Sequence, residues 1–278
     1  MIFERKIYNF LFSLNLRFNK YIPSFLLSKN LPDFLIIGSA KCATTFLKEN
    51  LRNHPDIYLP RSEVDYFTTN YDKGIQWYQS HFWTKCKYNG DKSPSYIYDT
   101  QCHQKIFDLL PDAKLILLLR HPVERAYSNW NMRNNKNSLG KIDGFDSNDF
   151  NQLVSAYLDI QKNQTQHFEN PYDIIHMGKY ILQIDSLLKI FPRENLFVAA
   201  IENISIDDLH MEFFFKELLR FLNIEPSKNH ANYQKIREGQ YHDKQIDNET
   251  KNILLELYRP YNEQLFEFLG YEIECWKD

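Results

Sequence analysis

Short apolar runs alternate with amphipathic stretches along most of the chain. Three runs of four or five apolar residues each predict a buried β-strand, at residues 34–37, 115–119 and 196–200. Apolar residues recur with helical spacing in three further stretches and predict packing helices, at residues 184–191, 211–222 and 249–269. In the last of these, Pro260 predicts a break and Gly270 a stop. Strands that alternate with helices predict an α/β fold, a three-layer sandwich with a central parallel sheet.

The first predicted strand runs directly into a loop of small residues that ends at a helix start. Gly38 and Thr45 match the two ends of the phosphate-binding pattern G-x-x-x-x-G-K-[ST]. Ala43 and Thr44 stand where that pattern has its second glycine and its lysine, and the lysine of this loop is Lys41. Backbone N–H groups and a helix N-terminus that meet in such a turn can hold a phosphate. An ordinary strand-to-helix turn with a surface lysine is the alternative.

The second predicted strand ends in a cation. Arg120 follows residues 115–119, where a metal-dependent nucleotide enzyme would have an acidic residue. Pro122 favours the first turn of a helix, which leaves Arg120 at the strand end and Ser128 about two helical turns further on. An arginine fork with a hydroxyl suits a phosphate monoester. The two segments together indicate a nucleotide with phosphates at two ends, bound without a metal.

These segments resemble the motifs of the sulfotransferases that use 3′-phosphoadenosine 5′-phosphosulfate (PAPS), especially the heparan-sulfate-type and bacterial glycan branch. The family's 5′-phosphosulfate loop reads K-x-[GA]-T-T-x-L, which residues 41–47 match, and its 3′-phosphate segment reads L-R-x-P-x-x-R-A-x-S, which residues 119–128 match. Further segments are similar to family motifs in the same order, at residues 53–57, 73–78, 91–96, 178–180 and 191–196. The resemblance covers residues 33–273 and implies the P-loop NTPase-like sulfotransferase fold.

The resemblance implies roles for both phosphate segments. Lys41 would stabilise the negative charge that grows on the bridging oxygen as the sulfonate leaves. The 5′-phosphate would be held by the loop that consists of Lys41, Cys42, Ala43, Thr44 and Thr45. Arg120 and Ser128 would hold the 3′-phosphate and so distinguish PAPS from ATP. Arg237 is loosely similar to a basic loop that closes over the nucleotide in this family, with a plain surface arginine as the alternative.

The resemblance also implies a base for an acceptor hydroxyl. Glu63 matches the glutamate of the family's K-E-x-x-[FY]-F, and Asp65 is the alternative if the register differs. Lys92 matches a lysine that lines the active site near the sulfonate. Two departures lie on the acceptor side: Ser62 replaces a lysine, and Met132 stands where the glucosamine N-sulfotransferases have a histidine. The acceptor therefore stays open, with a carbohydrate or glycolipid hydroxyl favoured over an amine, a protein tyrosine or a small metabolite.

Composition narrows the classes of function. The 278 residues contain no Pro/Gly/Ser-rich linker, and we predict one sulfotransferase domain, residues 33–278, after an N-terminal arm, residues 1–32. The net charge of −3 gives no global field for nucleic acid, so any positive site must be local. The histidines and cysteines lack metal-ligand spacing, and we predict no metal. At a helix N-terminus the thiol pKa of Cys42 can fall, with a plain loop filler as the alternative.

Charged residues interrupt the apolar runs of residues 1–30, so we expect neither a transmembrane segment nor a signal peptide. We expect a cytoplasmic enzyme whose arm docks on the domain, with peripheral membrane contact as the alternative. The predicted function is transfer of a sulfonate from PAPS, with release of adenosine 3′,5′-bisphosphate. A metal-dependent P-loop kinase or nucleotidase and an inactive nucleotide-binding protein of the same fold remain open, as does the oligomeric state.

Overall fold

The computed structural model describes residues 31–82, 86–135, 149–162, 173–227 and 246–277. Its five strands are β1 (Phe34–Gly38), β2 (Ile57–Tyr58), β3 (Tyr88–Lys92), β4 (Lys114–Leu119) and β5 (Leu196–Ala200). They form one parallel sheet in the order β2-β3-β1-β4-β5. The three predicted strands are confirmed as β1, β4 and β5, and β1 lies at the centre of the sheet.

Helices cover both faces of this sheet. They are α1 (Thr44–Leu51), α2 (Gly74–Gln79), α3 (Gln101–Leu109), α4 (Pro122–Asn135), α5 (Phe150–Lys162), α6 (Asp173–His176), α7 (Tyr180–Leu188), α8 (Ile201–Ile204), α9 (Asp208–Phe221) and α10 (Asn248–Leu269), with short 3₁₀ turns at Tyr71–Lys73, Arg193–Asn195 and Glu274–Trp276.

Alternate residues of the central strands point into two different cores. Leu35 and Ile37 of β1 pack with residues of α3 and α7, whereas Phe34 and Ile36 pack with residues of α1 and α9. This alternation is the period of two that a strand imposes, and it explains why both faces of β1 are apolar. The predicted three-layer α/β sandwich is confirmed.

The helix α10 differs from the prediction at one position. The predicted break at Pro260 is wrong, because the helix continues through this residue to Leu269. Pro260 and Glu256 are both exposed, so the Glu256 carbonyl that proline leaves without its helical donor can bond to water. Tyr258 and Leu265 are fully buried on the opposite face and hold the helix against the core. The predicted stop is confirmed at Gly270, whose φ of 78° is in the left-handed region.

The carboxyl ends of the parallel strands meet at one edge of the sheet. The chain that follows β3 stays attached to β1, because Ser93 N–H donates to Ile36 O at 3.1 Å and Ile97 N–H to Ile37 O at 3.0 Å. A Cβ atom on Gly38 would lie 2.4 Å from Cγ2 of Ile97, so only glycine fits at the end of β1. The loops after β1 and β3 therefore start side by side.

Among the described residues, no helix is both long enough and apolar enough to cross a membrane. Residues 1–30 of the predicted arm and Arg237 lie outside the described part of the chain. The division into an arm and one domain and the cytoplasmic location therefore stay predictions.

Candidate active site

A cavity of about 1480 Å³ lies at the carboxyl edge of the sheet. Its walls come from the loops after β1, β3 and β4, from α4 and from the chain after β5. Eight predicted site residues line it: Lys41, Ala43, Thr44, Thr45, Glu63, Lys92, Arg120 and Ser128. The structure thus brings the two predicted phosphate segments and the predicted base into one space.

The cavity is lined by more basic than acidic side chains in a chain whose net charge is −3, although Asp173, outside the lining, pairs with one of them, Arg133. Six basic side chains line it against four glutamates: Lys41, Lys92, Arg120, Arg125, Arg133 and Lys251, against Glu49, Glu63, Glu124 and Glu202. A cleft with one excess sign of charge and low-dielectric walls attracts ligands of the opposite sign. The site therefore suits an anionic ligand.

The loop after β1 has an unusual backbone at two positions without glycine. Lys41 has a φ of 72° and Ala43 a φ of 57°, both in the left-handed region. Ala43 is the N-cap of α1 and supplies no side-chain hydrogen bond to the first turn. An anion in the cavity can take the place of a capping side chain, because the N–H groups of a first helical turn point towards the helix N-terminus.

Cys42 is the predicted loop residue whose side chain turns away from the cavity. The thiol is fully buried in the core beside α1 and lies 3.7 Å from the hydroxyl of Tyr180. Burial raises the pKa of Cys42 to about 12, which agrees with a small loop filler and not with a thiol of lowered pKa. Its backbone N–H donates to Ser39 O at 3.1 Å, which helps to shape the turn.

Lys92, the last residue of β3, connects the predicted base to the phosphate loop. Its Nζ forms a short ion pair with Oε1 of Glu63 and lies 3.5 Å from Oγ1 of Thr45. The Lys92 side chain is 6 % exposed and that of Glu63 is 46 % exposed, so the carboxylate remains accessible to an acceptor. Asp65, the alternative base, accepts a hydrogen bond from Ser95 Oγ at 3.0 Å and is not among the cavity residues.

Asp91 lies directly before Lys92 and is fully buried. It accepts hydrogen bonds of 2.9 Å from the hydroxyls of Tyr78, Ser93 and Tyr96. Burial raises the pKa of Asp91 to about 6, although the three hydroxyls favour the ionised form. This buried carboxylate orients the Ser93 and Tyr96 hydroxyls, which accept hydrogen bonds from the loop that carries Glu63.

The stability contribution of Asp91 is expected to fall as the pH rises from about 4 to about 6. The carboxyl binds its proton more tightly in the folded chain, where its pKa is about 6, than unfolded, where it is 3.8. The protonated carboxyl therefore adds about 3 kcal/mol to the free energy of unfolding below pH 3.8, and this contribution is lost above about pH 6. Urea unfolding from pH 4 to 7 should show this decrease for the wild type and a shallower slope for Asp91→Asn. Equal slopes would contradict it.

Arg120 follows β4 directly, and Ser128 lies two turns into α4, as predicted. The Arg120 carbonyl accepts a 2.7 Å hydrogen bond from Tyr180, and its guanidinium lies 3.5 Å from the Glu124 carboxylate in a partly exposed ion pair. Ser128 is buried, with its side chain against the cavity. Because Glu124 is half exposed, its pairing with Arg120 is weak enough for a ligand anion to compete.

Arg125, Glu202, Lys251 and Cys275 are among the lining residues that were not predicted. Arg125 is fully buried and donates to the Ile174 carbonyl; it is a fixed position of the R-A-x-S segment, which was a usable signal. Glu202 is the second residue after β5 and accepts from His121 N–H at 2.7 Å, so its place near a strand end was a signal too. No local pattern points to Lys251 or Cys275, which the tertiary fold brings to the cavity.

Within the described residues, no group of three or more His, Cys, Asp or Glu side chains is arranged to hold a metal ion. A parallel α/β sandwich with a strand–loop–helix turn and a cavity rich in basic side chains at its carboxyl edge defines a fold of the P-loop-like class.

Comparison with known proteins shows which family of the P-loop-like class this chain belongs to. The sulfotransferase domain family matches residues 31–258, and the chain belongs to this family. A crystal structure of a sulfotransferase from Alicyclobacillus acidocaldarius superimposes with a TM-score of 0.71 at 21 % identity and covers 90 % of this chain and 100 % of that one. The fold is therefore the P-loop-like sulfotransferase fold.

Two curated relatives show the range of similar proteins. The membrane-associated sulfotransferase kil1 of Dictyostelium discoideum is 28 % identical over an alignment 324 residues long. The alignment covers 89 % of this chain and 67 % of that protein. The human heparan sulfate glucosamine 3-O-sulfotransferase 3B1 is 28 % identical over 268 residues, which cover 88 % and 65 %. The chain thus spans about two thirds of the length of these relatives.

Proposed function

We propose that this chain transfers a sulfonate from PAPS to a hydroxyl of a carbohydrate or glycolipid. The observation that carries the proposal is the shared cavity: the Lys41 loop, the Arg120–Ser128 segment and the Glu63–Lys92 pair all line it. A donor with charged groups at both ends of its nucleotide needs two anion subsites, and an acceptor hydroxyl needs a base beside one of them.

The donor would be held at its two phosphates. The N–H groups at the start of α1, with Thr44 and Thr45, would bind the 5′-phosphate, and Arg120 with Ser128 would bind the 3′-phosphate. The basic excess of the cavity supports an anion of this charge. PAPS supplies the activated sulfonate when it is bound.

The side chains of this chain would then divide the work of transfer. Glu63 takes the proton of the acceptor hydroxyl as the new O–S bond forms. Lys41 stabilises the charge left on the phosphate oxygen when the old O–S bond breaks, and adenosine 3′,5′-bisphosphate is released. Lys92, held between Glu63 and Thr45, would contact the sulfonate from the side of the base.

A carbohydrate acceptor is supported by the relatives, because several are named as heparan sulfate glucosamine 3-O-sulfotransferases. Met132 and Met177 line the cavity beyond Ser128, so part of the acceptor wall is apolar. An apolar wall of this kind suits the C–H face of a sugar ring or the lipid-proximal part of a glycolipid.

The function is tested by incubating the protein with labelled PAPS and a panel of glycans and glycolipids. Transfer of label, together with thermal stabilisation by adenosine 3′,5′-bisphosphate, is expected. Stabilisation by ATP with Mg²⁺ and none by the bisphosphate would instead favour a P-loop kinase. Stabilisation by the bisphosphate without transfer across the panel would favour an inactive nucleotide-binding protein.

Arg120→Ala is expected to weaken binding of adenosine 3′,5′-bisphosphate by about 10- to 100-fold, because it removes a charge-assisted contact to the 3′-phosphate. Affinity for adenosine 5′-phosphate, which lacks that group, should change little. Isothermal titration with both nucleotides checks this. Arg220→Ala, which removes an exposed arginine paired with Glu217 on α9, is the matched control. Equal losses for both nucleotides would place Arg120 away from the 3′-phosphate.

A further inference from the structure

The loop that carries Glu63 has neither helix nor strand between residues 59 and 70, so side-chain contacts must fix the position of the carboxylate. On the C-terminal side of Glu63, Asp65 N–H donates to Ser93 Oγ at 3.0 Å and Tyr66 N–H donates to the hydroxyl of Tyr96 at 2.9 Å. Both hydroxyls are oriented by Asp91. This side of the loop is therefore anchored to the end of β3.

On the N-terminal side of Glu63, the anchor is a lysine of α1. Lys48 Nζ donates to the Arg61 carbonyl at 2.6 Å, two residues before Glu63. The Lys48 side chain is only 8 % exposed, and its Nζ also lies 3.3 Å from a carboxylate oxygen of Glu49. Burial lowers the pKa of Lys48. Burying an ammonium costs free energy unless its N–H groups donate hydrogen bonds. The bond from Lys48 to the Arg61 carbonyl therefore fixes the side chain in one position, whereas a solvated surface lysine is free to move.

The position of Lys48 on α1 ties the base loop to the phosphate loop. Lys48 follows Thr44 by four residues and Thr45 by three, which places the three side chains on neighbouring parts of one helical face. Thr45 lies 3.5 Å from Lys92, and Lys92 pairs with Glu63. One rigid helix therefore holds the donor end at its first turn and the base loop at its second.

We propose that Lys48 is a positioning residue for Glu63, an inference that rests on the proposed function. Lys48 touches neither reactant in this role. Its hydrogen bond sets the distance between the base loop and the N-terminus of α1, where the 5′-phosphosulfate would lie. A displacement of about 1 Å at a reacting group can reduce turnover by about 100-fold, so the loss of one such anchor is measurable.

The first test is Lys48→Met, which keeps the apolar stem and removes the donor. We expect kcat to fall by about 10- to 100-fold while the dissociation constant of adenosine 3′,5′-bisphosphate is unchanged. Lys48→Arg should recover most of the activity, because a guanidinium can still donate to the Arg61 carbonyl. Lys216→Met, which changes an exposed lysine of α9, is the control and should keep full activity.

The second test separates positioning from general stability. In a Glu63→Gln background, Lys48→Met should reduce kcat by less than about two-fold, since two residues that act through one group are not additive. If Lys48→Met does not fold, Lys48→Leu carries the same predictions, because leucine is also apolar and has no donor.

Additive losses in the double variant, or a parallel loss of nucleotide affinity, would overturn the inference. If Lys48→Met has full activity while Glu63→Gln is inactive, the inference about Lys48 is wrong and the proposed function still stands. Absence of transfer from PAPS by the wild type would overturn the proposed function and this inference with it.

Discussion

Glu63→Gln is expected to lower kcat by about 10²- to 10⁴-fold, the usual contribution of a positioned general base. Glutamine keeps the shape of the side chain and can still accept from Lys92 Nζ, which pairs with Glu63 in the wild type. It cannot take a proton from the acceptor. The affinity for adenosine 3′,5′-bisphosphate should therefore remain, and the loss should appear in single-turnover transfer from PAPS.

Two matched variants sharpen this result. Asp65→Asn changes the alternative base, whose carboxylate accepts a hydrogen bond from Ser95 and is not among the cavity residues, and should lose less activity than Glu63→Gln. Glu212→Gln removes an exposed carboxylate of α9 and should behave as the wild type. A larger loss for Asp65→Asn than for Glu63→Gln would transfer the role of base to Asp65.

Lys41→Ala is expected to lower kcat by about 10²- to 10³-fold, the range seen when one electrostatic donor to a developing charge is removed. Alanine keeps the Cβ atom, so the backbone at a φ of 72° is no more strained in the variant than with lysine. The expected loss is therefore one of charge stabilisation rather than of folding. Thermal unfolding of the variant should match the wild type.

The measurement that isolates Lys41 is the rate with donors of different leaving-group basicity. The variant should slow transfer most when the leaving group is most basic, because Lys41 acts on the charge of that group. Lys189→Ala, at the exposed C-cap of α7, serves as the control for loss of a lysine. A Lys41→Ala variant with the turnover of the control would remove Lys41 from the chemistry.

The strands that could be predicted from sequence are those whose residues are almost all apolar. β1, β4 and β5 are continuous apolar runs, whereas β3 reads Tyr-Asn-Gly-Asp-Lys and gives no apolar signal. The polar groups of β3 are satisfied partly by distant residues: Asn89 N–H donates to Asp33 at 2.7 Å, and the Tyr78 hydroxyl donates to Asp91 beside those of the nearby Ser93 and Tyr96. A local pattern does not contain partners that are far away in the chain.

The residues of the candidate site also divide into those with a local sequence signal and those without one. Lys41, Arg120 and Ser128 lie in short motifs whose chemistry is local, whereas Glu63 was predicted from the family resemblance; all four line the cavity. The role inferred for Lys48 depends on a carbonyl 13 residues away, in a loop without regular structure. At Pro260 the local pattern is misleading: proline normally ends a helix, but here the helix continues because the residues on either side of Pro260 pack against the core.

Tyr180 links the two phosphate segments. Its fully buried hydroxyl donates to the Arg120 carbonyl at 2.7 Å and lies 3.7 Å from the Cys42 thiol. One aromatic side chain of α7 therefore helps to fix the separation between the two segments, beside the pairing of β1 with β4. For the proposed donor, this separation would correspond to the distance between the 5′ and 3′ oxygens of one ribose. Nucleotides that carry their second phosphate at another position are therefore expected to bind more weakly.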